Sequence, residues 1–439
     1  LYIQSLKIKN LRCFEETELT FQYPGREQET PPPLSNVNLL LGNNGAGKTT
    51  VLKAVALAAL SPVMPQSGFV PYRLVRRTDS ENDEKAQAEL IANLILHSHD
   101  LGVEQFEGTS IRRMKAIIMR HGDYESLMSI PPPYHPNESP FWEKMFDDRS
   151  PAFLLVGYGA TRRVEEFEKL DPSARRKSRV LRYDRVAGLF ESHVSLIPLN
   201  VWLPQFQQKS AARYKQVVKL INDLLPESAS FAGEFEQGEY LFEVNGAKIP
   251  FAALSDGYRA YIGWIADLLY HICLGAQSVG KLTDNRGIVM VDEVDLHLHP
   301  EWQRSVISRI SEALPNMQFV FTTHSPLVAS SLHRENIFVM EPTGDGASVV
   351  KQYDERIYGL NSEQVLLSSY FSLATTRAKP FVDELKSLSV KAGQGDLKAA
   401  LAFMEKMAGN ENGTAAVPAK AVTGRKAAGR KPRKAGSKK

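Results

Sequence analysis

The stretch "LLLGNNGAGKTTVLKAV", residues 39–55, is an apolar run that breaks into glycines and then resumes at helical spacing. Within it, Gly42-Asn43-Asn44-Gly45-Ala46-Gly47-Lys48-Thr49 fits the phosphate-loop pattern GxxxxGK[ST], with Thr50 just behind it. Glycines permit a turn whose backbone N–H groups converge on phosphate oxygens, and the following helix presents its positive N-terminal end to them. Lys48 is placed to reach the terminal phosphates and Thr49 to ligate Mg²⁺. "NVNLLL" (36–41) reads as a short buried strand, and a helix is expected from Lys48 to about Leu60. Strand, loop and helix together predict that a nucleoside triphosphate is bound here.

A second constellation is "RGIVMVDEVDLHLHPEWQ" (286–303), in which "GIVMV" reads as a buried parallel-type strand delivering two carboxylates at its C-terminal edge. Asp292 is expected to hold Mg²⁺ through its water shell, and Glu293 to orient and deprotonate an attacking water. His297 and His299 have no third partner and read as structural. Another buried strand in "NMQFVFTTHSPLVASSL" (316–332) ends at His324, 31 residues after Glu293 (324 minus 293). That gap fits one helix and one strand, so the two strand ends can lie side by side with His324 directed at the γ-phosphate. Lastly, Leu254-Ser255-Asp256-Gly257 opens a helix 37 residues before Asp292 (292 minus 255). Ser255 and Asp256 are also ordinary helix-capping types.

Composition limits the class. The chain has 439 residues, 43% of them hydrophobic, enough for a large core and a subdomain. Even the apolar "YIGWIADLLYHICLGA" carries Asp267 and His271, and the opening "LYIQSLKIKN" lacks a signal-peptide profile, so no membrane association and a cytoplasmic location are expected. Cys13 and Cys273 are too few for a disulfide scaffold. The net charge of +3 conceals an asymmetry: Lys420–Lys439 holds nine Lys or Arg and no acid, leaving 44 basic against 50 acidic residues elsewhere. Such a tail is expected to be disordered and to be capable of DNA contact through phosphate neutralisation.

The order phosphate loop, LSxG helix start, Asp-Glu strand, His strand resembles ABC-type ATPases. The resemblance is to the RecF, SMC and OLD group, and within it to stand-alone prokaryotic ATPases of phage defence such as PtuA of Septu and AriA of PARIS. It spans roughly residues 1–375. "LYIQSLKIKNLRCFEETELTF" resembles the group's first hairpin, "YGATRR" (158–163) its YGxxR segment, "THSPLVASSL" its His-loop, and "YGLNSEQVLLSSYFSLATTR" (358–377) the helical ending of defence ATPases. "VDEVDLHLHPEWQ" carries the resemblance furthest.

The resemblance implies an α/β fold: an ABC-type P-loop ATPase head with a mixed β-sheet core, a helical subdomain and the basic tail. The expected organisation is a core start at 1–60, an insertion or arm at 61–162 and a mostly helical part at 163–250. The signature, carboxylate and His elements follow at 251–345, then a helical segment at 346–410 and the tail at 411–439. The resemblance further implies head-to-tail pairing, in which Ser255 and Gly257 of one copy close over ATP held by another. It places Arg12 near the nucleotide and leaves Gln66 and Gln87 as alternatives for the Q-loop glutamine. Two functions follow. One is a regulatory ATPase, a homodimer or higher homo-oligomer controlling a separate effector such as a nuclease or toxin. The other is a RecF-like DNA clamp. A TOPRIM nuclease is not expected after "NIFVMEP", since Asp383 and Glu384 read as a solvated helix face.

Overall fold

The computed structural model describes residues 1–77, 86–101, 108–130, 139–148, 150–164, 181–275, 280–344 and 346–411. The expected basic tail lies outside them. The chain divides into a unit from Leu1 to Ala374 and one from Thr375 onward.

The first unit is built on two sheets. β1 (Tyr2–Leu11) and β2 (Phe14–Thr20) form the opening hairpin, and β3 (Val37–Gly42) leads into the phosphate loop. β4 (Gln87–Leu96), β5 (Ser110–His121) and β6 (Tyr124–Ile130) follow. They extend the hairpin into an antiparallel sheet of order β2-β1-β4-β5-β6. The strands within 61–162 therefore complete a sheet with the N-terminus, where the sequence reading set that region apart as an insertion or arm. The reason is edge pairing: alternate residues Leu90, Ala92 and Leu94 are apolar and need the same core that Leu6 and Ile8 face.

The second sheet adds β7 (Leu155–Tyr158). β8 (Arg163–Val164) and β9 (Ser195–Leu196) make a short parallel pair of their own. β10 (Ala229–Glu236), β11 (Glu239–Val244) and β12 (Ala247–Pro250) form a meander. Its second turn has Asn245 and Gly246 at φ 52° and 80°, as the Asn-Gly pair predicts. β13 (Gly287–Val291), β14 (Met317–Thr322), β15 (Ile337–Pro342) and β16 (Ser348–Lys351) complete the central sheet, of order β16-β15-β3-β14-β13-β7. Only β16 is antiparallel, so the sheet is mixed, as expected.

Alternation along these strands feeds two apolar layers. Leu39, Leu41, Val289, Val291, Phe319 and Phe321 face a layer made with helices Leu199–Lys209, Ala211–Leu224 and Asp256–Gly275. Leu40, Ile288, Met290, Val320 and Phe338 face the other, shared with the N-terminal sheet and helix Lys48–Ala59. Every residue of that helix but Thr49 and Lys53 is buried, because it is enclosed on all sides. In the second unit, helices Lys379–Gly393 and Leu397–Glu411 form a hairpin with a Lys406–Glu384 ion pair at 2.6 Å.

Candidate active site

β3, β14 and β13 lie side by side and parallel, and the phosphate loop, His324 and the carboxylates all follow their C-terminal ends. β14 sits in the middle, which the chain order alone does not say. At β3, Gly42, Gly45 and Gly47 take φ of 146°, 81° and 108°. A Cβ at Gly47 would come within 2.5 Å of the Phe14 ring and 2.6 Å of Cys13 Sγ, whereas one at Gly45 meets nothing within 4 Å. Gly47→Ala is therefore expected to destabilise the protein clearly more than Gly45→Ala, which carries only the left-handed backbone cost of about 1 kcal/mol. Thermal melts without nucleotide check the order, and equal melting temperatures would refute it.

Lys48 Nζ donates to the carbonyls of Gly42 (2.7 Å) and Asn43 (3.1 Å), holding the loop curled around the ammonium. Burial lowers its pKa, while the charges of Asp292, Glu293 and Asp295 oppose that shift. Thr49 Oγ1 donates to Asp292 Oδ2 at 2.7 Å, and Thr322 Oγ1 donates to Asp292 Oδ1 at 2.6 Å. One carboxylate thus ties together the ends of all three strands. A hydroxyl and a carboxylate in contact are hard oxygen donors, the set that Mg²⁺ takes.

Glu293 has φ 49°, unusual for a side chain of this kind, and its backbone is held at both ends. Its N–H donates to Thr322 Oγ1 at 2.7 Å, and its carbonyl accepts from Arg162 Nη2 at 2.6 Å. The Arg162 pKa is pushed down to about 10 by burial, against the three nearby acids. His324 is exposed at the end of β14. Desolvation and the Lys48 charge lower its pKa, against the charges of Glu293, Asp295 and Asp292.

The structure brings Gly42, Lys48, Thr49, Asp292, Glu293 and His324 to one sheet edge, with Asn43, Asn44, Gly45, Ala46, Gly47 and Thr50 in the loop and first turn. Ser255 and Gly257 stand apart at the start of helix Asp256–Gly275, Ser255 exposed. Among the described residues, no hydrogen bond joins them to the loop of the same chain. Gly257 backs onto the His297 carbonyl, where a Cβ would meet oxygen at 2.5 Å, and His299 caps helix Pro300–Gln303. No described group of three His, Cys, Asp or Glu could hold a metal.

Residues 37–330 match the family described as "AAA domain, putative AbiEii toxin, Type IV TA system". The chain belongs to this family. It is an ABC-type ATPase of the OLD and SMC group. The AAA-family chain is 24% identical to the Septu protein PtuA of Bacillus mycoides (strain KBAB4) over 88% of its own length and 46% of the relative's. It is 36% identical to the retron Ec83 probable ATPase of Escherichia coli over 24% of this chain and 19% of that one. It is 24% identical to the OLD nuclease of Thermus scotoductus (strain ATCC 700910 / SA-01) over 80% and 64%. The chain spans less than half the length of the Septu relative.

Sequence reading missed Thr322 and the role of Arg162 in this ATPase. "TTH" and "YGATRR" held the signal, since a threonine or arginine at the open end of a buried strand needs a polar partner. It also missed Thr323, which donates to Asp295, and Gln303, whose Oε1 accepts from Ser325 Oγ at 2.7 Å. Gln66 lies in the short turn Met64–Ser67 and Gln87 opens β4.

Proposed function

We propose that this ATPase is the regulatory subunit of a prokaryotic antiphage defence system, hydrolysing ATP between paired copies and controlling a separate effector such as a nuclease or toxin. The observation that carries the chemistry is the single carboxylate of Asp292 joining Thr49 and Thr322 beside Glu293. Backbone N–H groups of Gly45 to Lys48 and the Lys48 ammonium would bind the phosphates, with Lys48 exchanging its loop carbonyls for phosphate oxygens. Thr49 and Asp292 would hold Mg²⁺, which when bound neutralises charge on the transferring phosphoryl group. Glu293 would take the proton of the attacking water, and His324 would reach the γ-phosphate. Ser255 and Gly257 of a second copy would close the site, consistent with the exposure of Ser255.

The defence role draws its support from similarity to Septu and retron ATPases. The test is to tag the Glu293→Gln protein at its native locus and identify what co-purifies with the ATP-held form. A nuclease or other toxic protein in stoichiometric amount supports this function. DNA alone would support a RecF-like clamp, the reading favoured by the nine basic residues of Lys420–Lys439. Deleting that tail is expected to weaken DNA binding and to flatten its salt dependence, read from affinities at several salt concentrations. An unaltered slope would leave the tail no part in contact.

A further inference from the structure

At the end of the edge strand β7 lies a cavity of about 780 Å³, bounded also by helix Leu199–Lys209 and the C-terminal half of helix Asp256–Gly275. Its volume is in the range of small-molecule sites. Trp202, Phe206 and Tyr270 give it aromatic walls, and Arg185 lines it among them. Arg185 is 3% exposed, yet among the described residues its Nε and Nη1 have no hydrogen-bond partner. Trp202 Nε1 and His271 Nδ1, on residues of the same wall, also lack partners among the described residues. The two acids that line the cavity already have partners of their own. Asp267 accepts from Tyr158 Oη and from the Ile197 N–H, both at 2.8 Å, and faces His271 Nε2 at 3.4 Å, while Asp184 is partnered too.

An enclosed guanidinium without an acceptor is costly, and folded proteins rarely keep one. We infer that this cavity binds a small organic anion, a single carboxylate, sulfonate or phosphate group on an aromatic or aliphatic body, with Arg185 holding the anionic group. The aromatic walls bury the body, and the Arg185 guanidinium supplies the charge at the polar end.

The site is wired to the catalytic edge. The Tyr158 carbonyl accepts the Asp292 N–H at 2.8 Å, and Tyr158 Oη reaches Asp267 in the cavity wall. Arg162 lines the cavity and holds the Glu293 carbonyl. A ligand that moves either residue therefore changes ATP turnover. This coupling rests on the ATPase function proposed above, whereas the binding site does not.

The experiment uses the full chain with anilinonaphthalene sulfonate as probe, comparing wild type with Arg185→Met. Fluorescence titration is expected to show binding that weakens at least about tenfold in the variant, the loss of a charge-assisted contact. The unliganded variant is expected to melt about 2–5 °C higher, because an unpaired buried charge has gone. Equal probe affinity in both proteins, a lower melting temperature or a failure to fold would each overturn the site. Saturating probe should change the turnover of wild type at least about twofold, and the probe concentration giving half of that change should rise at least about tenfold in Arg185→Met. Unchanged wild-type turnover overturns the coupling alone. Failure of the ATPase reading would appear separately, as turnover that survives Glu293→Gln without any probe.

Discussion

Glu293→Gln should bind ATP normally and lose turnover by about 10²–10⁴-fold, the usual worth of a positioned general base. The substitution keeps the shape of the side chain and leaves untouched both backbone bonds that hold residue 293, from its N–H to Thr322 Oγ1 and from Arg162 Nη2 to its carbonyl. Only the proton acceptor is removed. Binding is expected to survive because Lys48, Thr49 and Asp292 are unaltered, and a protein that binds without hydrolysing should accumulate as the ATP-held pair. Phosphate release and light scattering with ATP read the two effects. Lys48→Ala should instead lose ATP binding, since the buried ammonium that shapes the loop would be gone. Turnover persisting in Glu293→Gln would remove Glu293 as the base.

The second large effect is expected at Thr322, which is fully buried. Its Oγ1 donates to Asp292 and accepts from the Glu293 N–H, so Thr322→Val keeps the volume while cutting both bonds. The unpaired N–H and the carboxylate deprived of a donor should cost about 1–3 kcal/mol of stability. Glu293, at φ 49°, would keep only Arg162 to hold its left-handed backbone. Turnover is expected to fall at least about tenfold with ATP affinity little changed, because a misplaced base acts on the chemical step. Thr322→Ser, which retains the hydroxyl, should recover most of both losses. Denaturant unfolding and steady-state rates measure them. Full activity in Thr322→Val would mean that Arg162 alone positions the carboxylate.

Much of the site was legible because its signals are local. A phosphate loop declares itself by glycines at fixed spacing. Five apolar residues before Asp292-Glu293 announce a buried strand ending in acids, and the interval to His324 fits one return crossover. The Asn-Gly turn of β11 and β12 is equally local. Three things were not legible. β4, β5 and β6 read as a separate region because strand pairing joins residues far apart in sequence, Leu6 opposite Ala92 and Leu90 opposite Ala116. Arg162 and Thr322 act through partners 131 and 30 positions away. Asn38 and Gln318 look like polar interruptions of buried strands. Asn38 in fact bonds to Gln22 and to the Phe319 carbonyl, and Gln318 bonds to Ile3 and to Gln22, joining the two sheets. Buried amides satisfied in this way fix register, since a slip would leave them unpaired.

By itself, the sequence determined the chemistry on offer: a loop shaped for phosphates, a carboxylate pair at a strand end, a histidine one crossover later and a serine-glycine helix start. Glycine dihedral freedom and apolar periodicity act over a few residues, so they can be read without coordinates. The tertiary structure decided how these parts are combined. It placed β14 between β3 and β13, gave Asp292 its two hydroxyl partners and locked the backbone of Glu293. It also enclosed Arg185 in a cavity at the end of β7. Such outcomes depend on which distant strands share hydrogen bonds and which polar atoms find partners once water is excluded, and only the packed chain settles both.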